Sequence, residues 1–147
     1  MLNVYQQTIT KPISFRGIGL HSGKKAEMTI YPGIEDQGII FKRVDLQKDN
    51  VILANYKSVS SARLCTTLEN KSGTKVSTVE HLLAALYVSE IDNAVIEIDS
   101  EEVPIMDGSA RNFVEIFKKT ELKTLNKKRK YLKILKKISL NDGEKNI

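Results

Sequence analysis

At 147 residues, with 41% hydrophobic and 28% charged residues, the chain is sized for one ordinary domain with a packed core and little beyond it. It has no apolar run near the roughly 18 to 20 residues that span a bilayer, no basic and apolar leader in its first seven residues, and one cysteine, Cys65, which excludes an internal disulfide and fits a reducing cytoplasm. The net charge of +5 is local: ten of the 23 Lys and Arg residues fall between Lys118 and Lys137, the other 127 residues are net acidic, and the broad basic face of a nucleic-acid binder is missing.

Taken in chain order, Ile9, Lys11, Ile13 and Phe15 alternate as a strand, with Pro12 marking an edge or irregular position. Gly17-Ile18-Gly19-Leu20-His21-Ser22-Gly23 is a glycine-punctuated turn, and Ala26, Met28 and Ile30 then define a second strand with one buried face. Residues 38–46 read as a third strand, and 51–56 and 64–69 as weaker ones. Asn70-Lys71-Ser72-Gly73 is the turn of a hairpin that returns through Lys75-Val76. The period then changes. Val79, Leu82, Leu83 and Leu86 share one face of a helix over about 78–88, followed by a strand over 91–98 and the acidic turn Asp99-Ser100-Glu101-Glu102. Asp107-Gly108-Ser109 opens a second helix over about 110–119 with Phe113, Ile116 and Phe117 inward. Residues 120–130 are polar and basic, as a linker is. Tyr131 to Leu140 alternates again and ends in the turn Asn141-Asp142-Gly143. The basic segment reads either as a patch for phosphate or anionic lipid or as a solvated linker and strand. The expected fold is α+β, a β-sheet with two helices packed on one face.

Chemistry concentrates in Ser77-Thr78-Val79-Glu80-His81. The pattern S-x-x-E is a capping box, which by itself accounts for Glu80 and leaves His81 as a first-turn histidine satisfied by a carbonyl or water. The same place also suits a metal site. The positive end of a helix dipole favours a carboxylate and a developing oxyanion, and a carboxylate beside a metal ligand can take the proton of an attacking water. One imidazole is not a catalytic zinc site, which needs three protein ligands and an open position, and His21 is the chain's other imidazole.

The runs Gly17 to Lys24, Leu64-Cys65-Thr66, Ser77 to Leu86, Ile91-Asp92-Asn93, Pro104 to Ser109 and Leu125-Asn126-Lys127 resemble, in order and along essentially the whole chain, the UDP-3-O-acyl-N-acetylglucosamine deacetylases of lipid A synthesis. The resemblance implies Zn2+ as cofactor, His81 as a zinc ligand and Glu80 as the general base in hydrolysis of the substrate's acetamide to a free amine and acetate. It places the backbone of Leu64 near the sugar. His21 falls near the site, as substrate contact or as a loop residue hydrogen-bonded among glycines. Cys65 either lines the pocket as a soft thiol or is a buried structural cysteine.

The family has two domains of similar α+β topology with the site between them. Its second domain supplies the remaining zinc ligands, a general-acid histidine and most contacts to the acyl chain and UDP, and those residues are absent from this chain. The implied division is an amino-terminal domain at 1–125, a basic linker at 126–130, and the first strand and turn of a second domain at 131–147. The expected partners are the acylated UDP-amino sugar and the missing domain or a partner chain, with no nucleic acid and at most peripheral proximity to the membrane. The alternatives are an inactive fragment and a noncatalytic sugar-nucleotide or anion-binding module.

Overall fold

Pro12 decides the first local outcome. Lacking an N–H for a ladder, it parts the expected first strand into β1 (Tyr5–Ile9) and β2 (Ile13–Ile18) in the computed structural model, which describes residues 4–147. Met1, Leu2 and Asn3, the start of the segment read for a leader, lie outside the described residues. β3 (Lys25–Pro32), β4 (Ile39–Arg43) and β5 (Val51–Leu53) follow. After a 3-10 turn at Tyr56–Ser58 come β6 (Val59–Ser61), β7 (Thr67–Glu69) and β8 (Lys75–Val76), then α1 (Glu80–Val88), β9 (Ala94–Ile98) and α2 (Arg111–Phe117). β10 (Leu122–Lys128), β11 (Asn141–Asp142) and β12 (Lys145–Asn146) complete the order.

The main sheet runs β2-β3-β9-β4-β5, antiparallel throughout except that β4 lies parallel to β9. β3 shows the expected period of two, burying Ala26, Met28 and Ile30 while Lys25 and Glu27 face out. Phe15, Phe41, Ile52, Ile96 and Ile98 extend the buried layer. Leu82, Ala85 and Leu86 of α1 and Phe113 and Phe117 of α2 join it in one continuous core. Phe15 fixes α2 against the sheet, its ring 5.0 Å from Phe113 and 6.1 Å from Phe117. The fold is α+β with two helices, as expected. The hairpin at Asn70 is also found: the Asn70 Oδ1 accepts the N–H groups of Ser72 and Thr74, and Gly73 takes the positive φ of 84° that closes the turn into β8.

Two expectations change at the carboxy-terminal side. Residues 122–128, read as part of a basic linker, form β10, which pairs antiparallel with β1 from Tyr5 opposite Lys128 to Ile9 opposite Leu122. β1 needs this ladder because Ile9 is fully buried and its backbone must be hydrogen-bonded. The strand expected over 131–140 is not formed. The next strand pair is the β11–β12 hairpin around Gly143, where Leu140 and Ile147 exchange both backbone bonds.

Arg129 locks the end of β10. Its Nε donates to both Asp92 oxygens at 2.9 Å and a terminal nitrogen donates to the Glu90 carbonyl at 2.8 Å, while Asp92 Oδ2 also accepts the Gln7 N–H at 2.7 Å. The Arg129 side chain is 10% exposed, so this pair is sheltered from solvent. Arg129→Met leaves Asp92 short of its cation and should destabilise the chain by roughly 2 kcal/mol, less than a fully buried pair because Asp92 keeps some water. A urea unfolding midpoint measures it, and Lys130→Met, removing a solvent-facing cation, should leave that midpoint in place.

Candidate functional site

Ser77 does not cap α1. Its hydroxyl donates to the Glu101 carbonyl at 3.1 Å, the N-cap position falls to Val79 with no side-chain bond, and the helix begins at Glu80 rather than near Thr78. The capping box is therefore not formed, and Glu80 needs another account. Its carboxylate reaches across to a different segment, where Oε2 accepts the Thr66 N–H at 3.1 Å. That segment turns at Leu64, which holds φ at 71° and is 87% exposed. His81 follows on the first helical turn, half-buried, and its Nδ1 is shut from solvent with no hydrogen bond to any described group. No carbonyl of the described residues pairs with that nitrogen.

His21 lies at the tip of the glycine loop, exposed, and is tied to the same region through its backbone. The anchor is Glu102, 1% exposed and missed in the sequence, where it passed for part of an acidic turn. One Glu102 oxygen accepts both the His21 N–H at 2.9 Å and the Thr78 hydroxyl at 2.9 Å, and the other accepts the Ser22 N–H at 2.7 Å. Burial opposes ionisation of this carboxyl, but the His21 N–H, the Ser22 hydroxyl and N–H and the Thr78 hydroxyl outweigh it and bring the pKa from 4.5 down to about 2. Successive N–H groups in such a loop form an anion-binding nest. Here the chain's own carboxylate fills it. The sequence signal that could have located Glu102 was its place before Val103-Pro104-Ile105, a segment too apolar to remain a solvated turn.

Cys65 is half-buried, its Sγ 3.9 Å from the Thr67 hydroxyl. Asp107 accepts the N–H and hydroxyl of Ser109 and so builds the turn into α2. Among the described residues no three His, Cys, Asp or Glu side chains converge on a point that could hold a metal ion. His81 and Glu80 come together, Leu64 and Cys65 border them through Thr66, and His21 joins them only by way of Glu102 and Thr78. These residues do not amount to a complete zinc centre. Two surface cavities, of about 560 and 430 Å³, are lined by residues 49–58 with 69–72 and by the α1–α2–β10 junction, and neither includes a candidate residue.

Fold and site together define an α+β domain that presents a carboxylate and an imidazole on the first turn of a helix. The LpxC family model, UDP-3-O-acyl N-acetylglycosamine deacetylase, matches residues 6–147, and the chain belongs to that family. It is 47% identical over 143 residues to the UDP-3-O-acyl-N-acetylglucosamine deacetylase of Geotalea uraniireducens, covering 97% of this chain and 46% of that protein. The proteins of the same name from Pseudoalteromonas atlantica and Vibrio cholerae are each 42% identical over 142 residues, covering 97% of this chain and 47% of theirs. The chain thus spans about half the length of the curated relatives it matches.

The folded-state pKa of Glu102 lies below its unfolded value, so its contribution is complete above about pH 4.5 and is lost as pH falls through about 2. The size is on the order of 3 kcal/mol. Glu102→Gln should therefore lower stability at pH 7 and remove much of the slope of the acid limb between those pH values. Urea midpoints measured across pH 2 to 7 test it, and parallel limbs in both proteins would count against the assignment.

Proposed function

We propose that this chain is the amino-terminal part of a zinc-dependent UDP-3-O-acyl-N-acetylglucosamine deacetylase, a cytoplasmic hydrolase of lipid A synthesis. The observation that carries the reading is Glu80. It is released from the capping role its sequence pattern offers, lies next to a histidine whose buried nitrogen has no protein partner, and faces the Leu64–Thr66 turn.

In this reading Glu80 is the general base. It takes the proton from the water that attacks the acetamide carbonyl carbon, and the C–N bond then breaks to give acetate and the free amine once the nitrogen is protonated. The donor of that proton is supplied from outside these residues. His81 offers one imidazole toward zinc, whose role when bound is to polarise the carbonyl. The other ligands would come from a second domain or a partner chain. The backbone of Leu64 and the loop at His21 and Cys65 would border the amino sugar. In this reading the first domain runs to residue 129, supported by the β1–β10 ladder and the Arg129–Asp92 bond, and a second domain would begin in 131–147. No helix among the described residues is long and apolar enough to cross a membrane.

The test places residues 1–147 in the Geotalea uraniireducens deacetylase instead of the matching segment and follows acetate release and bound zinc. Glu80→Ala should keep the zinc and lower turnover by roughly a hundredfold or more, the usual effect of losing a general base. Unchanged turnover would falsify the base assignment. His81→Ala should instead lose the zinc, and full occupancy in that variant would remove His81 from the ligands. The 147-residue chain alone should bind zinc substoichiometrically and release no acetate.

A further inference from the structure

We propose that Glu102 is a positioning residue of the deacetylase site, its buried carboxylate docking the glycine loop that carries His21 onto the Thr78 turn that leads into Glu80 and His81. The inference rests on the deacetylase reading above and adds to it a residue that touches neither substrate nor metal.

The geometry is that of a splice. The segment from Glu101 to Ile105 lies between two others. On one side the Ser77 N–H donates to the Glu101 carbonyl at 2.9 Å and the Val103 N–H to the Ser77 carbonyl at 3.1 Å; on the other the Ile105 N–H donates to the Ile18 carbonyl at 3.0 Å. Glu102 stands at the centre of this segment, and its Oε1 is the single atom on which the His21 N–H and the Thr78 hydroxyl both converge. The loop and the Thr78 turn are thus held by the same carboxylate oxygen.

The loop is shaped for this occupant. It closes on itself through Gly19 N–H to the Lys24 carbonyl at 2.9 Å and Gly23 N–H to the Gly19 carbonyl at 3.0 Å. A side chain at Gly19 would overlap both the Ser22 hydroxyl and the Glu102 carboxylate, so the glycine is what lets the loop wrap the buried charge. The nearby Lys24–Glu101 pair is solvent-facing on both sides and could not hold the loop alone.

Strain marks the other end of the splice. Thr78 is β-branched and carries φ of 57°, a conformation that costs about 1 to 3 kcal/mol and persists only when its surroundings impose it. A turn needed only to start a helix would be served by glycine there. Keeping threonine supplies the hydroxyl that meets Glu102, two residues before Glu80.

Two measurements test the proposal. In the 147-residue chain, Glu102→Gln and, more strongly, Glu102→Ala should raise tryptic cleavage after Lys24 and Lys25 relative to cleavage after Lys42 in the central sheet. An equal rise at all three sites would mean general destabilisation and would overturn the docking role. In the grafted deacetylase, well below its unfolding temperature, Glu102→Gln and His21→Ala should each lower kcat/KM about tenfold to a hundredfold. The double variant should fall no further than the worse single one, because the His21 imidazole acts only from the loop that Glu102 holds through the backbone. Multiplying losses, or an unaffected His21→Ala, would overturn the proposal. A graft without activity before any substitution would sink the deacetylase reading and this role with it, while the cleavage pattern would still report whether Glu102 docks the loop.

Discussion

A carboxylate removed from water is unstable by several kcal/mol unless donors replace its hydration, and a protein that buries one must organise its neighbours around it. Glu102 is that group here. The backbone of the glycine loop, the Ser22 N–H and the Thr78 hydroxyl supply what water would have given. The conformations of residues 17–24 and 77–79 are therefore mutually dependent. Thr78, two residues before Glu80, is held by this ion, and Ser77 beside it is held by Glu101 and Val103. Helix propensity and capping, which ordinarily set a helix amino terminus, have been displaced by a tertiary contact from 24 residues downstream.

The rest of the domain is arranged so that this region sits on a rigid support. The sheet and two helices share one core, with Phe15 joining α2 to β2 and Leu82, Ala85 and Leu86 seating α1. Polar contacts lock the far side. Asn93, 1% exposed, donates to Gln6, accepts the Gly38 N–H and gives its carbonyl to Thr8, so β1 is tied to the connections around β3 and β4. Gly33 is required there because a side chain would meet the Asn93 backbone at 2.6 Å. Buried networks of this kind are favourable only when every member is satisfied, and this one is complete among the groups that meet.

Several parts were legible in advance because they depend on local chemistry. The strand alternation of Ala26, Met28 and Ile30, the helical period from Val79 to Leu86, and the Asn70–Gly73 turn all appear where their patterns put them. The site was half legible. Glu80 and His81 stood out by type and adjacency, but Ser77 was misleading because a capping serine and one bonded to a distant carbonyl look alike in sequence. Arg129 and Lys128 are neighbours of the same charge in one basic run, yet Arg129 is sheltered against Asp92 while Lys128 is exposed. Nothing local separates them; the partner lies 37 residues away.

By itself the sequence determined the fold class, the helical period of α1 and α2, the buried face of β3 and the turn at Asn70 to Gly73. These follow from side-chain period and type, which each segment carries within itself. Only the tertiary structure decided that 122–128 is a strand, that α1 starts uncapped at Glu80, and that an acidic turn contains the buried anchor of two loops. Those outcomes rest on hydrogen bonds and ion pairs between segments far apart in the chain, where the competing local preference is worth about 1 kcal/mol and the long-range contact several.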